Sequence, residues 1–551
     1  MQRLRRASGW LVGTGLATLV NPWGWGIYQA LMRQQRVMGQ HQAWITEWNS
    51  VPMSWGAVSS ILSPRQTEGT IYLLLAVAVV AAVISLLRAQ LGAALWLLGA
   101  IYPAVRYVRM GALFACVAAV VGGWVLSREL SRDWVRSMRA RSAVAWAAVL
   151  ALALLASVRC FDLVTNRHYF RGVDETTFGA GLSWWFPQGA TEFIEREKLP
   201  GEVFNTYDEG GYFTWRLGAE RRDYIDGRAL PFGVALLQRS DQLLQDSPDS
   251  ALWQQETSRY NLNTILLPLG RYDGVQLVRL QDFCNSKLWR PVYLDEVSAV
   301  FVRRTPETEG LIQRFPVDCA TAPLPVRPPT GGGADAFNAW ANAASVLAAL
   351  GRNPEALTAT EKALSILPGS AFLHWQRANL LFAMGQLGDS EQEYLAAISI
   401  EPSEVTWTAL AESYQKRGRM PAAVEAMQHA AQLSANPHLV LVKLGYLYLS
   451  LRQPDHAVNA FDEAARRTPW GFKPADNPTF AFMLAQGRSG AWDALGDLEK
   501  ATSYQEEAAQ LEPDVPAPWR RLAKLYERDG RSQDATRARE HAEALATKQR
   551  P

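Results

Sequence analysis

Along the chain, apolar and polar positions fall into three regimes. The first 160 residues hold five apolar stretches, at 10–31, 70–87, 91–105, 110–127 and 143–158. A helix needs about 20 residues to cross a hydrocarbon core, with a range of about 17–25. The pattern therefore predicts an α-helical transmembrane bundle of about five spans over 1–159. Its third member is short, and its first is broken at Asn21-Pro22, where proline removes a helical hydrogen bond. Residues 160–315 alternate short β-like runs with helical stretches, the signature of a small α/β sheet. Strands are expected at 203–205, 223–226 and 264–267, with a terminal hairpin of 291–294 and 299–303 around Asp295 and Glu296. Helices are expected at 210–217, after a turn, and over 234–260. Residues 316–334 are rich in Pro and Gly and read as a linker, and 335–546 carry an all-helical repeat.

Charge gives the spans a direction. Arg3, Arg5 and Arg6 precede the first span, and Arg128, Arg132, Arg136, Arg139 and Arg141 lie between the fourth and fifth, while 1–160 contain no lysine. With five spans both arginine clusters face the cytoplasm, so everything after Arg159 is expected outside. The protein is then a multi-pass cytoplasmic (inner) membrane protein with extracytoplasmic C-terminal domains, and the bilayer is its first partner. The external loop 32–68 carries Trp44, Trp48, Trp55 and only two acidic residues, Glu47 and Glu68. The run Ser183, Trp184, Trp185, Phe186, Pro187 is expected near the bilayer, linking the middle domain to the last span.

The net charge of +2 excludes a basic footprint for nucleic acid. No CxxC or Cys/His pair at ligand spacing occurs among the four cysteines and seven histidines, so no metal site is expected. No GxxxxGK[ST], HExxH or GxSxG is present, and no cofactor is implied. If the soluble part is exported, Cys284 and Cys319 either pair or stay as two buried thiols.

The most chemically loaded stretch runs from Phe204 through Asn205, Thr206, Tyr207, Asp208, Glu209, Gly210 and Gly211 to Tyr212, then from Tyr224 to Asp226, Gly227 and Arg228. Paired glycines let the backbone approach a ligand closely, and carboxylates beside them accept hydrogen bonds from a polar substrate. The alternative is a strand-to-helix turn braced by Asp–Arg pairs, with Arg216, Arg222 and Arg228 as partners. Residues 9–305 resemble uncharacterised bacterial membrane proteins related to the polyprenol-dependent (GT-C) glycosyltransferases, in which an Asn, an acidic residue and Gly-Gly-Tyr precede Ile-Asp-Gly-Arg. Asp208 and Gly210 also resemble part of the WWDYG region of oligosaccharyltransferase catalytic subunits. That resemblance implies a polyprenyl-phosphate-linked sugar as partner, with Glu47 and Asp208 as catalytic residues. This chain departs from those enzymes in having few spans and only Glu47 as an external-loop base.

Repeat units begin near Phe337, Ala371, Glu404, His438, Phe482 and Pro516, spaced by 34, 33, 34, 44 and 34 residues. Each has a turn residue between two helices: Gly351, Gly385, Gly418, Arg452, Gly496 and Gly530. Small residues recur in the second helices, and Trp340, Trp407 and Trp519 hold the early aromatic position. This pattern resembles the tetratricopeptide repeat (TPR) over about 335–546. The resemblance implies a solenoid that binds a protein or peptide along a groove, with Asn338, Asn342, Trp375, Thr408, Glu412 and Gln415 pointing into it and Trp375 as an exposed anchor. Arg377 and Asn379 depart from the usual pattern, and an insert at 469–478 is expected to bend or split the array after its fourth unit.

Two functions follow. One is a membrane-anchored extracytoplasmic TPR scaffold without enzymatic activity. The other is a GT-C-like glycosyltransferase, or a truncated remnant of one, whose repeats select the acceptor.

Overall fold

The computed structural model describes residues 69–130 and 182–548, apart from 219–220, 229–231, 271–273, 327–332, 435 and 469–471, with scattered positions before 54 and between 146 and 167. It divides into two compact units, Met1–Pro323 and Leu324–Pro551.

The first unit opens with α1 (Gly69–Leu87), α2 (Leu91–Arg106) and α3 (Val108–Arg128). Among the described residues, Thr70–Leu87 and Val108–Arg128 are long and apolar enough to cross a membrane, and α2 has 16 residues. Most of the expected first span is described, and turn residues at 18–19, 22 and 24–25 separate its helical positions 16–17 and 26–30, as the Asn21-Pro22 break predicts, whereas the fifth span and the loop 32–68 lie largely outside the described residues. Small side chains let the three helices approach closely: Ala78, Ala81, Ala82 and Ala118 are buried with Leu97 and Phe114. The outward faces stay apolar, with Leu73, Val80, Trp96, Leu113 and Val120 all more than half exposed.

Beyond residue 182 comes a four-stranded mixed sheet in the order β1-β2-β4-β3. Its strands are β1 (Glu202–Phe204), β2 (Leu262–Pro268), β3 (Trp289–Leu294) and β4 (Ser298–Arg303). β1 and β2 are parallel, and the other pairings are antiparallel. Side chains of a strand alternate between faces, and each face finds helices to cover it. Val203, Leu266, Val300 and Val302 pack with α4 (Gln188–Arg196) and α5 (Tyr207–Leu217). Phe204 and Phe301 turn the other way, to Trp253 of α7 (Ala251–Tyr260) and Phe283 of α8 (Gly274–Cys284).

Three expectations change here. Helix α5 starts at Tyr207, ahead of the glycines, with Asp208 and Glu209 in its first turn, where carboxylates complement the helix dipole. The helical stretch 234–260 is two helices, α6 (Gly233–Gln245) and α7, because Ser250 caps the second by accepting the Trp253 N–H at 3.4 Å. Residues 223–226 form no strand. Their backbone is held instead by the side chain of Asn205, as described below.

Cys284, ending α8, is joined to Cys319 by a disulfide across 35 residues. The helix α9 (Glu309–Arg314) lies within that loop. The Pro-rich stretch that follows is not bare linker, since Leu324 and Val326 pack on the first hairpin of the second unit.

That unit is a stack of antiparallel helix pairs: α10/α11 (Gly333–Ala349, Asn353–Ile366), α12/α13 (Ala371–Ala383, Leu387–Ile400), α14/α15 (Glu404–Lys416, Met420–Leu433), α16/α17 (His438–Ser450, Pro454–Arg466), α18/α19 (Pro478–Leu495, Leu498–Leu511) and α20/α21 (Pro516–Arg528, Ser532–Lys548). A hairpin this tight needs one residue at positive φ. Gly351, Gly385, Gly418, Gly496 and Gly530 supply it at φ between 72° and 84°. Arg452 does so at 56°, where a Cβ costs about 1 kcal/mol. Arg452→Gly is therefore expected to stabilise the repeat unit by about 1 kcal/mol, read as a raised thermal midpoint; an unchanged or lowered midpoint would contradict it.

The array does not split at the insert. One buried core runs from Ala411 through Phe461 to Ala491, with Phe472 from the insert packed on it. Phe461 of α17 is fully buried against Gly445 of α16 and Gly487 of α18. A Cβ at Gly445 would come within 2.6 Å of the ring, and one at Gly487 would also overlap it. The extra residues go into a 3-10 turn, Pro474–Asp476, and an 18-residue α18.

Candidate functional site

Two regions carry the polar residues singled out above. The first lies where β1 runs into α5. Asn205 is fully buried, donates from Nδ2 to the Ile225 carbonyl at 2.7 Å and accepts the Tyr224 N–H at 2.8 Å. One amide side chain thus satisfies the backbone groups that a neighbouring strand would have taken. Gly210 is needed for the same packing, because a Cβ there would collide with the Ile225 carbonyl and the Asp226 backbone. Glu209 is buried and accepts the Thr206 hydroxyl hydrogen bond. Tyr224 donates its hydroxyl to Glu256 at 2.8 Å, and burial followed by that carboxylate pushes its own ionisation upward.

Asp223, Asp226 and Arg228 form a compact charge cluster. Arg228 Nε lies 2.7 Å from Asp226 Oδ2, its backbone N–H donates to Asp226 Oδ1 at 2.8 Å, and its Nη2 is 3.7 Å from Asp223. Burial, then the neighbouring Asp226, raises the Asp223 pKa. Burial acts on Asp226 in the same sense, but the Arg228 hydrogen bonds outweigh it and hold that carboxyl below the usual range. Arg216 instead faces Glu192 and Glu195 at 3.9 and 3.8 Å, and the Arg222 backbone N–H donates to Glu202 at 3.4 Å. Most of the motif therefore holds the 223–228 segment on the helix. Asp208 and Gly211 remain on the open face of α5, and Glu47 lies outside the described residues.

The second region is the first-helix face of the repeats. Asn338 is buried, Asn342, Thr408 and Gln415 are half-buried, and Glu412 is exposed and paired with Lys443 at 3.0 Å. Trp375 is not an exposed anchor. It is half-buried against the cluster of Ala378, Tyr394 and Leu410, because the neighbouring unit packs over it. The enclosed Nδ2 of Asn342 and Nε1 of Trp375 have no hydrogen-bond partner among the described residues. Between units, Gln376 donates to Ser345 at 3.0 Å. The unusual Arg377 bridges Glu361 of α11 and Glu393 of α13 at 3.4 and 3.0 Å. The equally unusual Asn379 accepts the Tyr394 hydroxyl at 2.6 Å, and burial pushes that tyrosine up to about 12.

One recurring contact escaped the sequence reading. Trp340, Trp407 and Trp519 each meet the side chain 22 positions later: Lys362 at 3.9 Å, His429 at 4.5 Å and His541 at 4.6 Å. The 22-residue separation is present in the chain, but only the hairpin turn brings the two positions face to face.

Residues 439–469 match the tetratricopeptide repeat family. No curated protein matches the sequence. Among solved structures, a MamA protein is 17% identical, with 33% of this chain and 93% of that one covered at a TM-score of 0.29. PilF of Pseudomonas aeruginosa is 18% identical, with 38% and 90% covered at 0.31. YrrB, a TPR protein with an unusual peptide-binding site, is 16% identical, with 34% and 93% covered at 0.29.

Proposed function

We propose that this protein is a membrane-anchored scaffold whose repeats hold a protein or peptide partner outside the cytoplasm. The family match and the stacked hairpins support the interaction role. The observation that carries it is the stack of six helix hairpins, whose first helices leave Asn342, Thr408, Glu412 and Gln415 at least partly accessible. An extended peptide laid along these helices offers backbone donors and acceptors to such polar side chains. Anchoring is supported by α1 and α3, whose outward faces are too apolar for water, and export by the disulfide, a bond of oxidising compartments.

The test is purification of the intact protein in mild detergent, with mass spectrometry of retained proteins and lipids. A stoichiometric protein is expected, with Asn342→Ala weakening its retention about tenfold at an unchanged melting temperature. Retention indifferent to Asn342 would sink the groove assignment. A bound polyprenyl-phosphate sugar, with transfer abolished by Glu47→Gln or Asp208→Asn, would establish the glycosyltransferase instead.

A further inference from the structure

Between residues 183 and 323 the α/β domain leaves one large hydrophobic side chain exposed among the described residues, Trp215 of α5, at 66%. Its surroundings explain why it stands apart. An aromatic ladder leads to it from the segment by which the chain enters the domain. Trp185 and Phe186 are 4.1 Å apart between ring centroids, Phe186 stacks on Tyr212 at 4.8 Å, and Tyr212 meets Trp215 at 5.7 Å. One turn before Trp215 stands Gly211, where a Cβ would meet nothing within 4 Å. The domain therefore does not need this glycine for packing, and its lack of a side chain leaves the indole flank bare.

We propose that this face of α5, with the ladder from Trp185 that leads to it, rests in the lipid–water interface of the bilayer that anchors the chain. The inference builds on the anchored reading above. Indole rings prefer that zone, where an apolar body and a polar N–H are both accommodated. The upstream chain points to the same occupant: Trp146, Leu150, Leu154, Phe161 and Val164 are each at least 60% exposed, an apolar stretch suited to lipid that the polar sequence 165–181 separates from the ladder. Arg216 lies 5.7 Å from the Trp215 ring while its guanidinium faces Glu192 and Glu195, so a cation stands beside the indole at the edge of this face. Seated in this way, α5 would hold the α/β domain against the membrane, and Gly211 would act as a contact surface.

The experiment uses the full-length protein in nanodiscs whose lipids are brominated either near the glycerol end or near the terminal methyl of one acyl chain. Subtracting the emission of Trp215→Phe from wild type isolates one indole among 21, and phenylalanine keeps the ladder apolar. The difference emission is expected to fall about twofold with the shallow bromines and less with the deep ones, as an interfacial ring requires. Gly211→Glu is expected to abolish that quenching without lowering the melting temperature, since its site is open. Quenching by aqueous iodide instead of bromine would overturn the proposal by placing Trp215 in water. Insensitivity to both quenchers would overturn it by showing a protein cover. If the chain leaves the lipid on alkaline washing, the anchored reading fails. If it stays and Trp215 ignores bromine, only the docking inference fails.

Discussion

Phe461→Ala is expected to destabilise the repeat unit by about 3–5 kcal/mol, the usual cost of deleting a fully buried aromatic ring. The ring lies between glycines of two different helices and edge-on to Tyr446 at 5.4 Å. It belongs to the one core that crosses the insert, so its loss loosens the joint between the fourth and fifth hairpins. Chemical unfolding followed by helical circular dichroism would show a lower midpoint, or a second transition where the array comes apart. Gly487→Ala should cost about 1–3 kcal/mol by overpacking. Combining it with Phe461→Leu should recover part of that loss, because the two sites share one contact. A shift below about 1 kcal/mol for Phe461→Ala would mean that the joint is held by something else.

The second large effect concerns the disulfide. Closing a loop of 35 residues' separation is worth about 4 kcal/mol in the chain-entropy account. The double substitution Cys284→Ser with Cys319→Ser is expected to destabilise the α/β domain by that order, and reductant should do the same to the wild type. Three melts decide it: wild type with reductant should coincide with the double variant, and both should lie well below the oxidised protein. Equal stability of all three would show that the bond does not constrain the unfolded chain.

The repeats were legible because a 34-residue period recurs, and because a two-helix turn needs a positive φ that glycine supplies at five of six places. The strands at 203 and 264 and the terminal hairpin were legible from their apolar β-branched runs. What escaped was nonlocal. Residues 223–226 look like a strand, and only the reach of Asn205 across 19 and 20 positions reveals why no strand forms. The insert looked like a break, and only Phe461 meeting two glycines in different helices shows that it is bridged. Arg377 looked out of place until its two glutamates, 16 positions away on either side, came into view. Of the motif around Asp208, the sequence identified the residues but could not separate those that brace the turn from the two, Asp208 and Gly211, left facing outward.

The crosslink between Cys284 and Cys319 also sets the route that mechanical load takes. A pull applied to the repeats enters the first unit through the chain just after Cys319. At that residue the tension passes through the sulfur bridge into the end of α8. The strands β3 and β4 and the helix α9, all inside the closed loop, are thereby shielded. A hairpin edge is the part of a small sheet most easily unzipped from one end, and here it lies outside the line of force. Tension on the second unit thus leaves the sheet closed.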